Sequence, residues 1–133
     1  MRAVFLDTSA IFALMDADDG NHKKAVKRWT DLVEEEAQIL VSNYVLVETF
    51  ALIQHRLGLK AVRVFEEDIM PVLSVAWVEK STHASGVAAF LAAGRKKLSL
   101  VDSVSFVLMR KAGITEAFAF DRHFTTEGFR CLG

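Results

Sequence analysis

The residues with the clearest chemical potential are four acids set inside or directly after apolar runs: Asp7, Glu48, Asp102 and Asp121. The apolar runs themselves contain no Lys or Arg that could pair with these acids. An ionised carboxylate in apolar surroundings is costly unless it pairs, takes up a proton or binds a metal. If the four carboxylates converge in the fold, a shared cation is the simplest explanation for them.

Carboxylate oxygens suit a hard divalent cation. Mg²⁺ binds through one or two carboxylates, several waters and substrate phosphate oxygens, and Mn²⁺ accepts the same ligands. Two such ions about 4 Å apart would activate a water and stabilise the leaving oxygen of a phosphoryl displacement. The chemistry indicated is hydrolysis of a phosphate ester. Without cations, the cluster would repel a polyanionic substrate.

Hydroxyl residues flank these acids and extend the candidate site. Thr8 and Ser9 follow Asp7, and their hydroxyls could position a water or a substrate phosphate, or could simply cap a helix. Ser103 beside Asp102 has the same two interpretations, of which capping is favoured. Asp102 could itself be an N-cap and Asp121 could begin a turn, whereas capping does not account for a mid-helix Glu48.

Short apolar runs alternate with longer amphipathic ones, which indicates strands separated by helices. This pattern predicts βαβ units, and hence a three-layer α/β/α sandwich with a central parallel sheet of four to five strands. Asn43 is a plausible N-cap and Gly58 a terminator for the helix between them. The predicted strands are 3–6, 38–42, 73–78, 116–120 and 129–132, and the predicted helices are 9–15, 22–36, 44–57, 59–67, 82–93 and 101 or 102 to 113.

Ligands of open parallel sheets bind beyond the carboxyl ends of the strands. Asp7 and Asp121 come at the ends of two predicted strands, Asp102 begins a helix, and Glu48 lies in the first turns of another. All four acids are therefore expected at the same edge of the sheet.

Length and composition favour one intracellular domain spanning residues 1–133. With 52% hydrophobic and 25% charged residues the chain can build a core and a wet surface, which excludes disorder. The one cysteine, Cys131, can form neither an internal disulfide nor a zinc site built from several cysteines, which suits a reducing cytoplasm. No charge-free apolar run reaches about 18 residues, so no membrane segment is expected.

A net charge of −1 gives no global attraction to nucleic acid, so any such contact must be local. The start of the helix 22–36 is unusually basic for a helix N-terminus, which opposes the helix dipole. We hypothesise that this start contacts an RNA backbone through Lys23, Lys24, Lys27 and Arg28.

In four segments the chain resembles the PIN domain family, and specifically its VapC-like ribonuclease toxins. The segments are Asp7-Thr8-Ser9, Val47-Glu48-Thr49, Leu100-Val101-Asp102-Ser103 and Phe120-Asp121-Arg122-His123-Phe124, and their order and spacing cover nearly the whole chain.

The resemblance implies a central parallel sheet and Mg²⁺- or Mn²⁺-dependent endonuclease activity, usually on RNA. It implies that Asp7, Glu48, Asp102 and Asp121 are the metal-binding and catalytic acids, with Thr8 or Ser9 as a polar helper. It also implies a homodimer and, for toxin members, a small antitoxin protein. Some relatives carry a further polar or acidic residue four positions after the last acid; Thr125 stands there, so a fifth carboxylate is not expected.

Two other functional classes are compatible with parts of the pattern. One is a catalytically silent PIN-like module that binds RNA or protein, although it would be expected to have lost some of the acids. The other is an aspartate phosphotransfer protein, whose haloacid-dehalogenase-like form needs an acid where Ser9 stands. His123 is interpreted as a turn residue rather than a general base, and Arg122 has no assigned role.

Overall fold

The computed structural model describes residues 1–133 and centres on one parallel sheet of five strands. Every neighbouring pair of strands is parallel, and the order across the sheet is β3-β2-β1-β4-β5. The strands are β1 (Ala3–Leu6), β2 (Gln38–Ser42), β3 (Ser74–Ala76), β4 (Glu116–Phe118) and β5 (Arg130–Cys131). The predicted fold class is confirmed.

Seven α-helices connect these strands and form the outer layers. They are α1 (Thr8–Met15), α2 (His22–Glu34), α3 (Asn43–Leu57), α4 (Leu59–Val64), α5 (Lys80–Ala93), α6 (Leu100–Ala112) and α7 (His123–Thr126). Because crossovers between parallel strands are right-handed, the step from β1 to β2 to β3 places α1–α4 on one face, and the return to β4 places α5 and α6 on the other. No helix combines the length and the apolar character that crossing a bilayer requires.

The core fills the space between the sheet and its helices with large apolar side chains. Phe5 of β1 and Phe118 of β4 are fully buried. Phe124 of α7 packs against Phe5 and Phe106, with ring centroids 6.4 Å and 5.1 Å away. The short helix α7, which the sequence pattern did not predict, is thus held by one buried aromatic ring.

The structure corrects several element boundaries. Ser42, not Asn43, caps α3, because the Ser42 hydroxyl accepts from the backbone N–H of Val45 at 3.1 Å. The side-chain oxygen of Asn43 instead accepts from the N–H of Val78 at 2.7 Å. Since that N–H is bonded to a side chain, β3 is shorter than the predicted strand 73–78. The predicted helix 59–67 is α-helical only to Val64 and continues as a π-helical turn, Phe65–Ile69.

Gly86 allows α5 and α6 to approach closely. A Cβ at this position would lie 2.5 Å from Cγ2 of Val104 and 3.1 Å from its Cα. Gly86 is buried within α5, where glycine is otherwise a poor helix former. Close packing of these two helices therefore explains the residue.

We expect Gly86→Ala to destabilise the fold by about 1–3 kcal/mol, because the clash with Val104 outweighs the gain in helix propensity. Urea unfolding of the variant and the wild type measures the difference. Ser85→Ala, an exposed change in the same helix, is the control and should shift stability by less than about 0.5 kcal/mol. A Gly86→Ala variant as stable as the wild type would contradict the close approach.

Candidate active site

The site forms where the strand order reverses, between β1 and β4. Leu6 pairs with Phe118, and the backbone N–H of Asp7 donates to the carbonyl of Phe118 at 3.1 Å. Asp7 directly follows β1, and Asp121 lies just beyond β4. Neighbouring parallel strands thus deliver two carboxylates to the crevice in which open α/β sheets bind their ligands.

Asp102 approaches the same crevice from the first turn of α6. Its carboxylate, that of Asp121 and a ring nitrogen of His123 offer ligand atoms that all lie within 4.8 Å of one another. Asp7 is close enough that the charges of Asp102 and Asp121 raise its pKa. The structure therefore groups Asp102, Asp121 and His123 closely and places Asp7 within reach of the charges of the two acids.

The carboxylate of Asp7 is held by Ser9. Its Oδ2 accepts from the backbone N–H of Ser9 at 3.1 Å and from the Ser9 hydroxyl at 2.7 Å. The same hydroxyl accepts from the backbone N–H of Phe120 at 3.0 Å. Ser9 therefore joins the end of β1 to the segment that carries Asp121, and Oδ1 of Asp7 has no protein hydrogen-bond partner.

Asp102 and Asp121 are oriented in the same way. Oδ2 of Asp102 accepts from the backbone N–H of Ser99 at 3.1 Å, in a reciprocal capping box in which the Ser99 hydroxyl accepts from the Asp102 N–H at 3.0 Å. Oδ1 of Asp121 accepts from the N–H of His123 at 2.9 Å. Each carboxylate thus has one oxygen fixed by the backbone and one oxygen available to a ligand.

Burial makes the ionised cluster unfavourable. Asp7 is only 4% exposed, and burial is the main reason its pKa rises to about 6; its hydrogen bonds with Ser9 oppose the shift, and the neighbouring carboxylates add to it. Burial also raises the pKa of Asp102, opposed by the Ser99 N–H and assisted by the charge of Asp121. Neither Asp7, Asp102 nor Asp121 forms an ion pair with Lys or Arg.

The donor set fits a divalent cation. Asp102 and Asp121 lie close together with Asp7 nearby, and each of the three has one free oxygen. Nε2 of His123 lies 3.7 Å from Asp121 and is charged only when protonated. Such oxygen ligands are those that Mg²⁺ and Mn²⁺ prefer. A cation here would offset the mutual repulsion of the acids.

Glu48 lies apart from this compact group. It is exposed on α3 and lines an open pocket together with Val101, the residue before Asp102. Val45 and Leu46 are buried, but the helical turn places Glu48 beside the exposed Val47. The apolar sequence around Glu48 therefore does not correspond to an apolar environment in space.

Of the hydroxyl residues, Thr8 and Ser103 are buried. The Thr8 hydroxyl lies 3.0 Å from that of Thr49 and 3.5 Å from the carbonyl oxygen of Val45. These contacts bind α1 to α3 and bring the Glu48 segment up to the start of α1. Thr8 therefore positions helices, whereas Ser9 contacts the acid directly.

His123 was not among the sequence-predicted site residues. The structure places it in the acidic group because α7 begins there and turns its ring back toward Asp121. The only sequence signal was its position two residues after Asp121, and the helix that orients it is only four residues long.

Of the basic residues of α2, Lys24 borders a groove that reaches Asp121, whereas Lys27 is paired with Asp31 at 3.3 Å. Lys24 and Arg122 border a shallow groove that includes Asp121. An adjoining groove is lined by Lys24, Lys27 and Arg28, and Arg28 also donates to the carbonyl of Leu132 at 3.1 Å. Lys23 is exposed but does not border either groove.

Residues 4–127 match the model of the PIN domain family. The chain belongs to the PIN domain family. It is 33% identical over 127 residues, 95% of each chain, to the 23S rRNA-specific endonuclease VapC20 of Mycobacterium tuberculosis. The crystal structure of that protein, described as a sarcin-ricin loop cleaving toxin, superposes with a TM-score of 0.84 at 32% identity over 95% of both chains.

More distant solved structures share the fold alone. FitAcB from Neisseria gonorrhoeae aligns with a TM-score of 0.71 at 14% identity, covering 98% of this chain and 96% of that one. DNA-bound VapBC from Salmonella typhimurium aligns with a TM-score of 0.70 at 14% identity, covering 98% and 97%.

Asp7 should make stability depend on pH. Folding raises the pKa of Asp7 from 3.8 to about 6, so the folded state binds the proton more tightly than the unfolded state. The resulting contribution to the free energy of unfolding is fully present below about pH 4 and is lost as the pH rises through about 6. With EDTA present, we expect Asp7→Asn to remove this loss and to be more stable than the wild type near neutral pH, by on the order of 2–3 kcal/mol.

Urea unfolding across this pH range measures the effect. Asp68→Asn, the same chemical change at an exposed position, should retain the wild-type pH profile. An Asp7→Asn variant that is less stable than the wild type near neutral pH would show that ionising the buried carboxylate of Asp7 does not destabilise the fold.

Proposed function

We propose that this protein is a divalent-metal-dependent endoribonuclease and the cytoplasmic toxin of a toxin–antitoxin pair. One observation carries the proposal: Asp102 and Asp121 have ligand atoms within 4.8 Å of each other, Asp7 is near enough for their charges to raise its pKa, and each of the three has one oxygen fixed by a backbone N–H and one oxygen free. The 33% identity to VapC20 over 95% of both chains supports RNA as the substrate.

The three converging acids would hold Mg²⁺ or Mn²⁺, and Glu48 would contribute from the rim of the site. A cation bound there would act as a Lewis acid on the phosphoryl oxygens and would make a water more nucleophilic. The backbone bonds from Ser9, Ser99 and His123 keep the carboxylates in place, which limits reorganisation when substrate arrives.

In the proposed reaction a water oxygen forms a bond to phosphorus while one phosphorus–ribose oxygen bond breaks. The water loses a proton and the departing ribose oxygen gains one. Asp7 would hold the cation through Oδ1, because its Oδ2 is already bonded to Ser9, and Asp102 and Asp121 would hold it beside Asp7. The protons that the attacking water loses and the ribose oxygen gains are exchanged with solvent water.

The basic start of α2 would bind the RNA backbone on the Asp121 side of the site. Lys24 and Arg122 border the groove that contains Asp121, and Lys27 and Arg28 continue it. Cationic side chains along such a groove neutralise phosphates without reading the sequence. Lys23 would add to the local charge from outside the groove.

Two protein partners complete the proposal. Family membership and the likeness to VapC20, itself described as a toxin, support a small antitoxin protein that covers the acidic site. Family membership also supports a homodimer. Light scattering of the purified protein, with and without a co-expressed small upstream protein, tests both.

Cleavage should require both the metal and the acids. We expect the protein to cut RNA in Mg²⁺ or Mn²⁺ but not in EDTA, and Asp102→Asn and Asp121→Asn to lower the rate by at least about 100-fold, because each removes a ligand charge. End-labelled RNA on denaturing gels gives the rate.

Glu66→Gln, at an exposed acid of the π-helical turn, is the control and should cleave at the wild-type rate. Metal-independent cleavage, or variants as active as the wild type, would contradict the assignment. Binding of RNA without cleavage under every metal condition would identify a catalytically silent module instead.

The salt dependence of RNA binding tests whether the lysines of the basic groove contact RNA phosphates. Replacing Lys24 and Lys27 by Gln is expected to reduce the slope of log affinity against log salt by about 1.4, about 0.7 for each lysine on single-stranded RNA, because fewer counterions are released. Fluorescence anisotropy with single-stranded RNA measures it. Lys60→Gln, an exposed lysine on α4, should leave the slope unchanged, and an unchanged slope in the double variant would reject the groove.

A further inference from the structure

An open pocket lies beside Glu48, the fourth candidate acid. It has a volume of about 440 Å³ and is lined by Asn43, Tyr44, Val47, Glu48, His83 and Val101. Its walls come from the start of α3, the first turns of α5 and the start of α6. None of these residues except Glu48 has a role in the proposed hydrolysis.

Two rings form one wall of this pocket. Tyr44 and His83 meet edge to face, with ring centroids 5.8 Å apart and an interplanar angle of 69°. The Tyr44 hydroxyl is hydrogen-bonded to Nδ1 of His83, which fixes both rings relative to each other. Val47, 71% exposed, provides an apolar surface beside them.

Two lining residues connect the pocket to the candidate site. Glu48 is the fourth candidate acid, and Val101 belongs to the same first turn of α6 as Asp102, whose ligand atom lies within 4.8 Å of that of Asp121. Asp121 in turn borders the groove of Lys24 and Arg122. Candidate acids therefore border both the aromatic pocket and the basic groove.

The pocket margin carries polar groups with free hydrogen-bonding capacity. The side-chain oxygen of Asn43 is bonded to the N–H of Val78, so its amide nitrogen remains as a donor. Nδ1 of His83 is occupied by Tyr44, which leaves Nε2 free. Glu48 adds an acceptor.

We propose that this pocket binds a nucleobase of single-stranded RNA, from the nucleotide next to the phosphodiester at the acidic cluster. Aromatic rings can stack on any nucleobase, whatever its identity. Hydrogen-bond donors and acceptors at the pocket margin can then bind the polar edge of that base. This inference rests on the proposed nuclease function and adds a specificity-determining site to it. Tyr44 and His83 act on substrate position, not on the hydrolytic step.

Base-dependent binding tests the pocket. The probes are a short fluorescein-labelled single-stranded RNA and the matching abasic ribose-phosphate oligomer, and their anisotropy is measured in Mg²⁺ with every protein carrying Asp121→Asn, so that the probes are not cut. The variants are His83→Ala and Tyr44→Ala, and His55→Ala, an exposed histidine at the other end of α3, is the control. Thermal melts and light scattering of each variant check folding and oligomeric state.

We expect His83→Ala and Tyr44→Ala to weaken binding of the base-bearing RNA about tenfold, the effect of losing one stacking contact, and to leave abasic binding unchanged. His55→Ala should match the wild type on both probes. Equal weakening on both probes would show that the rings contact the backbone and would overturn the proposal. A change of oligomeric state that accompanies the loss would show that this face binds a second copy, and would also overturn it.

The failure of the pocket and that of the nuclease assignment are separable. If the wild type cleaves RNA in Mg²⁺ while the two ring variants bind both probes normally, the pocket alone is rejected. If the wild type neither binds nor cleaves RNA under any metal condition, the nuclease assignment fails and the pocket with it.

Discussion

The pairing of β1 with β4 is the constraint on which the site depends. The two strands are over 100 residues apart in the chain, and their parallel contact brings Asp7 and the Asp121 segment to one crevice. Ser9 secures this contact, because its hydroxyl accepts from Phe120 and donates to Asp7. Strand order and one hydroxyl together convert two distant acids into neighbours.

The charged side chains are paired at one end of the sheet and unpaired at the other. At the amino end, the Arg2 side chain pairs with Glu116 and with Glu35, each at 2.9 Å. At the carboxyl end, Asp7 and Asp102 are buried without a cationic side chain, and burial raises the pKa of both. Paired charges stabilise the folded state, whereas unpaired buried carboxylates lower its stability but leave their oxygens available to a ligand. The unfavourable burial of charge is therefore concentrated at the candidate site.

Much of the fold could be predicted from the sequence. Runs such as 3–6 and 38–42 are short, apolar and bounded by polar residues, so their type and limits followed from local pattern. Boundaries that depend on side-chain hydrogen bonds could not be predicted, and Asn43, which bonds to Val78 rather than capping α3, is an example. Helix α7 was also missed, because a single buried ring, Phe124, holds it rather than any periodicity.

By itself the sequence determined which acids were candidates, because a carboxylate beside an apolar run is visible locally, and it placed Asp7 and Asp121 at strand ends. Only the tertiary structure decided which of them meet. Asp102 and Asp121 converge with His123, Asp7 is buried beside them, and Glu48 stands at an exposed rim. The reason is physical: burial and proximity arise from packing between elements far apart in the chain, and a helix turns sequence neighbours onto different faces.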